Sequence, residues 1–129
     1  MASVLVIEDN PTNMKLARLI LESGGHRVLT ADTALTGIAA ARSEQPDVIL
    51  MDIQLPELDG FEATRRLKAD AVTEHIPIIA VTAYAMTGDE ARIRSAGCDE
   101  YVAKPYRRAE LLDKVSLLLR DRAGVDPGA

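Results

Sequence analysis

Residues Ser3–Asn13 read SVLVIEDNPTN. Aliphatic, largely β-branched sequence stops on two carboxylates, Glu8 and Asp9, and passes at once into a helix-start signal. Asn10 is a favoured N-cap and Pro11 fits a first helical position. A short apolar run bounded in this way reads as a strand bound for a protein interior. The same event recurs in DVILMD, Asp47–Asp52, which delivers Asp52 at the end of another apolar run.

Working outward, five such runs stand out: SVLVI from Ser3, HRVLTA from His26, DVILM from Asp47, IPIIAVT from Ile76 and EYVAK from Glu100. Each is followed by helical spacing. The first helix ends at Gly24-Gly25. The second starts near Asp32 or Thr33, with Leu35, Ile38 and Ala39 marking one apolar face. The third opens around Asp59-Gly60. Thr87 and Glu90 have capping-box spacing for the fourth, which ends at Gly97. The fifth carries an apolar stripe of Leu111, Leu112, Val115, Leu118 and Leu119. A single domain over residues 1–122 is expected, with residues 123–129 as a flexible tail.

Strict β-α alternation with short connections predicts an α/β fold, a parallel sheet with helices on both faces. Runs one, three and four are almost wholly apolar, as strands buried on both faces should be. Runs two and five carry His26, Arg27, Glu100 and Lys104, which suits sheet edges. Right-handed crossovers then give the order 2-1-3-4-5, a flavodoxin-like doubly wound sheet of (βα)5 type. Its topological switch point lies between strands one and three.

Ligands in such sheets bind beyond the carboxyl ends of the strands at that point, where Glu8, Asp9 and Asp52 converge. Any one of these acids read singly is a turn former or a helix cap. Together they need a positive partner: each partly buried, uncompensated ion costs on the order of several kcal/mol, against a total stability of roughly 5–15 kcal/mol. A hard divalent cation with oxygen ligands, Mg²⁺, meets the need. Cys98, His26 and His75 fall outside the strand-end set, so zinc is not indicated. Lys104, after strand five, brings a second positive charge, and Thr82, ending strand four, adds a hydroxyl. Metal, ammonium, hydroxyl and a nucleophilic carboxylate suit a phosphoryl group.

Composition agrees. The 129 residues are 47% hydrophobic and 27% charged, ordinary for a globular domain, with a net charge of −5 that disfavours nucleic-acid binding. No apolar run approaches the roughly 20 residues that span a bilayer. The opening MASVLVIEDN lacks the basic region of a signal peptide, and the lone Cys98 has no partner for an internal disulfide, so a cytoplasmic location is expected.

These residues together resemble the receiver domain of bacterial two-component response regulators. The resemblance runs from Val4 to about Leu119 and rests on VIEDN, DVILMDIQLPELDG, IIAVTAYAM and YVAKPY, in that order and spacing. The chain is similar to single-domain, DivK-like regulators of alphaproteobacteria, and MDIQLPELDGFEATRR also looks like receivers attached to hybrid histidine kinases. The resemblance implies that Asp52 accepts phosphate from a phosphohistidine of a sensor histidine kinase or phosphotransfer protein. It implies Mg²⁺ ligation by Asp9, Asp52 and the Gln54 carbonyl, with Glu8 acting through metal-bound water. Thr82 would bond the phosphoryl group and Lys104 would pair with it. Lys104-Pro105 matches the family's cis peptide, and Tyr101 its switch aromatic. Thr82 would be drawn inward on phosphorylation and Tyr101 would follow. That would reshape the face of helix four, strand five and helix five for a downstream effector protein. Gln54 and Tyr84 are expected to tune autodephosphorylation, and the small Ala83 leaves room for the donor.

Two other functions share the topology. A small Mg-dependent phosphohydrolase would want a second acid two residues past Asp52, where Gln54 stands. A flavin-binding carrier would want a phosphate-cradling loop after strand one, where Glu8 and Asp9 would repel the cofactor.

Overall fold

A computed structural model describes residues 2–56, 58–83 and 89–125, with side chains described for all of these except 89 and 121–125. Within them the chain alternates strictly: β1 Ser3–Ile7, α1 Pro11–Ser23, β2 Arg27–Ala31, α2 Ala34–Glu44, β3 Val48–Asp52, α3 Gly60–Ala69, β4 Ile78–Thr82, α4 Asp89–Ala96, β5 Glu100–Ala103 and α5 Arg108–Val125. All strand pairs are parallel, in the order β2-β1-β3-β4-β5. This is the flavodoxin-like arrangement expected from the sequence.

The sheet splits the core in two. Leu5, Ile7, Ile49, Met51, Ile78 and Ala80 point to the side covered by α2, α3 and α4. Val4, Val6, Val48, Leu50, Ile79, Val81 and Val102 point to the side covered by α1 and α5. The two-residue period of a strand produces this division. Because β1, β3 and β4 are covered on both faces, every second residue cannot be polar, and their sequences are accordingly apolar except at the ends, Ser3, Asp52 and Thr82. The edge strand β2 exposes Arg27 and Thr30, as edge strands can.

Local signals set the connections. Asn10 caps α1 through its side chain, which accepts from the amides of Thr12 and Asn13. Thr33 and Thr36 form a capping box on α2, and Asp59 caps α3 by accepting from the Glu62 amide. Gly97 ends α4 with φ of 106°, a conformation open to glycine at little cost. Thr87 of the expected Thr87–Glu90 capping box and Tyr84, expected to tune autodephosphorylation, both lie outside the described residues.

One expectation needs correction. Leu35 and Ala39 do not face inward on α2: Leu35 is exposed, and the buried face is Ala34, Gly37 and Ala41, with Ile38 partly buried. The cause is close approach to the sheet. A Cβ on Gly37 would lie 2.4 Å from Ile7 Cδ1, so only the small face of the helix fits against β1. Helix α5 runs as far as Val125. One glycine costs a helix only about 1 kcal/mol, so α5 carries through Gly124. Residues 126–129 lie outside the described chain. Among the described residues, no helix is long and apolar enough to cross a membrane.

Candidate functional site

The carboxyl ends of β1, β3, β4 and β5 form one rim. Alternation sends Glu8 and Asp52, which follow Val6 and Leu50 by two residues, toward the α1/α5 side. Lys104, two residues past Val102, follows the same rule. Backbone bonds then fix the strand ends in place. The Glu8 amide donates to the Ala31 carbonyl at 3.0 Å, the Ile53 amide to Val81 at 3.0 Å and the Lys104 amide to Thr82 at 2.8 Å.

Carboxylate oxygens of Glu8, Asp9 and Asp52 all lie within 4.8 Å of one another. Glu8 and Asp52 are only 6% and 3% exposed, whereas Asp9 stands at the open side. The ammonium of Lys104 sits 3.4 Å from Asp52 Oδ2 and 3.5 Å from Glu8 Oε2. Two backbone amides add to the pocket: Gln54 N donates to Asp52 Oδ1 at 2.9 Å, and Asn10 N donates to Glu8 Oε1 at 3.1 Å. Burial pushes the Glu8 carboxyl up to about 7, and the neighbouring Asp52 charge adds to the rise; the Asn10 amide and Lys104 oppose it. One ammonium therefore leaves the two buried acids undercompensated.

That imbalance tests the fit of a metal ion. The donors are oxygens from three side chains at the mouth of a crevice, the set a hard divalent cation takes, with water completing its shell. Charge and donor type both fit Mg²⁺. The Gln54 amide is turned to Asp52, and its carbonyl follows in the same loop.

Thr82 is buried at the end of β4. Strand alternation sets it on the α3/α4 side with Ala80, and Tyr101 pairs in register with Ala80 and packs into the same core, partly exposed. Thr82 and Tyr101 therefore share a face of the sheet, opposite to the one that carries Glu8 and Asp52. Ala83 is exposed, and the Lys104–Pro105 peptide is cis.

Two residues of the site did not emerge from the sequence. Tyr106 packs against the α1/α5 core, and its hydroxyl is pushed up to about 12, chiefly by burial and further by the charges of Glu8 and Asp52. With Asn13, Leu16, Lys104 and Pro105 it lines a cavity of about 230 Å³. Gly60 is the second. It reads in the sequence as a helix start, yet its backbone lies against Asp52 and Ile53. Its place in YVAKPY, two residues past Lys104, was the available signal for Tyr106; nothing in the local sequence signals the contact of Gly60.

The doubly wound sheet and its acidic rim fit a signalling receiver. The chain belongs to the response regulator receiver domain family, whose model matches residues 4–116. It is 46% identical over 119 residues to the polar-differentiation response regulator DivK of Brucella ovis, covering 92% of this chain and 97% of that protein. Among solved structures it is similar to the receiver domain of a sensor histidine kinase from Pseudomonas aeruginosa, which holds a magnesium ion coordinated in its active-site cleft. That match has 38% identity and a TM-score of 0.86, over 92% of this chain and 98% of the other. A CheY-like receiver domain protein from Methanospirillum hungatei matches with 28% identity and a TM-score of 0.89, over 98% and 99% of the two chains.

Proposed function

We propose that this receiver takes part in a phosphorelay in which Asp52 is the phosphoacceptor. The observation that carries the reading is the buried Asp52 carboxylate set within 4.8 Å of Glu8 and Asp9 and 3.4 Å from the Lys104 ammonium. An oxygen of Asp52 attacks phosphorus, the bond from phosphorus to the donor imidazole nitrogen breaks, and the imidazole leaves with the electron pair. An acyl phosphate results. Glu8, Asp9, Asp52 and the Gln54 carbonyl would hold Mg²⁺, which supplies positive charge to the phosphoryl oxygens. Lys104 turns its ammonium from the carboxylate pair to the incoming group, and the Thr82 hydroxyl donates to it from the β4 side.

The donors are a sensor histidine kinase or a phosphotransfer protein. Tyr101 and Thr82 lie on one face of the sheet, so a shift of Thr82 toward the phosphoryl group frees space on the side where Tyr101 packs. The surface of α4, β5 and α5 changes with it, and an effector protein reads that change. The protein then acts by stoichiometric modification and slow self-dephosphorylation, without turnover of a substrate pool, in the cytoplasm, within a domain spanning about residues 1–122. Its acidic balance turns it toward protein partners and away from nucleic acid.

Incubation with acetyl phosphate and Mg²⁺, followed by intact-mass measurement, tests the site. Wild type should gain a single base-labile phosphate, and Asp52→Asn should gain none. Equal labelling of the two proteins would remove Asp52 from the role, and steady release of phosphate over many turnovers would favour a phosphohydrolase.

A further inference from the structure

Helix α4 is held at two points of different kind. Its apolar anchorage is small: Ile93 and Ala96 are buried, while Ala91, Arg92, Arg94 and Ser95 are exposed. At its carboxyl end the chain turns through Gly97, where a Cβ would lie 3.0 Å from Lys68 Cγ of α3. Lys68 there donates to the Ile76 carbonyl at 2.8 Å and pairs with Asp99 at 3.0 Å. Asp99 in turn accepts from the Ile78 amide at 2.8 Å. This end is tied through charge-assisted bonds to α3, β4 and the start of β5.

One turn earlier the hold is of another sort. The guanidinium of Arg92 lies over the ring of Phe61, 4.4 Å from its centroid. Phe61 is buried to 6% exposure and follows Gly60 directly. Gly60 touches the acceptor segment: a Cβ there would fall 2.4 Å from the Asp52 carbonyl oxygen and 2.6 Å from Ile53 Cα, and its amide donates to the Ile53 carbonyl at 3.0 Å. Gly60 and the Asp52–Ile53 backbone are thus in direct contact, and the ring over which Arg92 lies belongs to the next residue of the chain. A cation over a ring at an exposed position is worth about 0.5–1 kcal/mol, a contact weak enough to open and close.

We propose that the Phe61–Arg92 stack is a releasable clasp that couples the state of Asp52 to the position of α4, with the helix pivoting about its Lys68-held end. This path runs through α3 and is separate from the Thr82–Tyr101 route through β4 and β5. It rests on phosphorylation of Asp52 as proposed above.

Hydrogen exchange of the full chain, read by mass spectrometry with and without acetyl phosphate and Mg²⁺, tests the clasp in wild type, Arg92→Gln and Arg92→Lys. In the unphosphorylated state Arg92→Gln should exchange the α4 amides about 2- to 5-fold faster, with Gly97–Asp99 unchanged and Arg92→Lys in between. Phosphorylation should alter α4 exchange in wild type and add little in Arg92→Gln, although intact mass shows equal phosphate on both. Wild-type α4 exchange in unphosphorylated Arg92→Gln would overturn the clasp, as would a full phosphorylation response in that variant. Absence of phosphate on wild type would refute the acceptor role instead, and the unphosphorylated comparison would still decide whether the clasp exists.

Discussion

Gly60 lies so close to Asp52 that a Cβ on Gly60 would fall 2.4 Å from the Asp52 carbonyl oxygen. The first turn of α3 thus packs directly on the backbone of the acceptor segment, which is walled there by a residue with no side chain. Gly60→Ala should cost about 1–3 kcal/mol, the usual range for overpacking. It should also weaken Mg²⁺ binding, because the loop carrying Gln54 must shift. Urea denaturation and a calorimetric Mg²⁺ titration check the two effects; unchanged values in both would show that the wall can yield.

Lys104 has opposing effects on the two species the pocket would bind. Its ammonium sits 3.4–3.5 Å from Asp52 and Glu8 and so competes with a metal ion for the same oxygens. Lys104→Met should bind Mg²⁺ more tightly, on the order of tenfold, while its acyl phosphate yield from acetyl phosphate falls. Calorimetry and intact mass separate the two. A loss of Mg²⁺ affinity in this variant would contradict the geometry.

Glu8 makes stability depend on pH. Its carboxyl is raised from 4.5 to about 7 by burial first and by Asp52 second, so between these values the folded protein holds a proton that the unfolded chain has released. Without divalent ions the Glu8 contribution to stability is present below pH 4.5 and is lost as pH rises through about 7. Metal binding requires the ionised form and should therefore strengthen over the same interval. Thermal melts in EDTA from pH 5 to 8, beside Glu8→Gln, should show a steeper decline for wild type; parallel curves would rule out a Glu8 origin.

Lys68 carries stability away from the pocket. Its ammonium serves the Ile76 carbonyl, the Glu74 carbonyl and Asp99 together. Lys68→Met keeps the chain length but leaves those acceptors short of a donor, and should cost about 1–3 kcal/mol. Denaturation reports this directly, and phosphate uptake at Asp52 should persist in the variant.

The fold was legible because its determinants are local. Apolar runs such as VILM, with acids or turn residues at their ends, identify strands buried on both faces, and Asn10-Pro11, Asp59-Gly60 and Gly97 punctuate the helices. The polar content of β2 and β5 marked them as edges, which fixed the strand order. Leu35 misled because hydrophobicity suggests a buried face only when the helix has room for it, and Gly37 on Ile7 leaves none.

By itself the sequence determined that Glu8, Asp9 and Asp52 end neighbouring strands and that Lys104 and Thr82 end others, since side-chain period and crossover handedness are consequences of backbone chemistry. Only the tertiary structure decided which of these groups face each other, how deeply Asp52 is buried, that Gly60 backs it and that Arg92 covers Phe61. Those contacts join residues distant in the chain, and their distances follow from how closely helices seat on the sheet, which depends on the volumes of all the side chains between them.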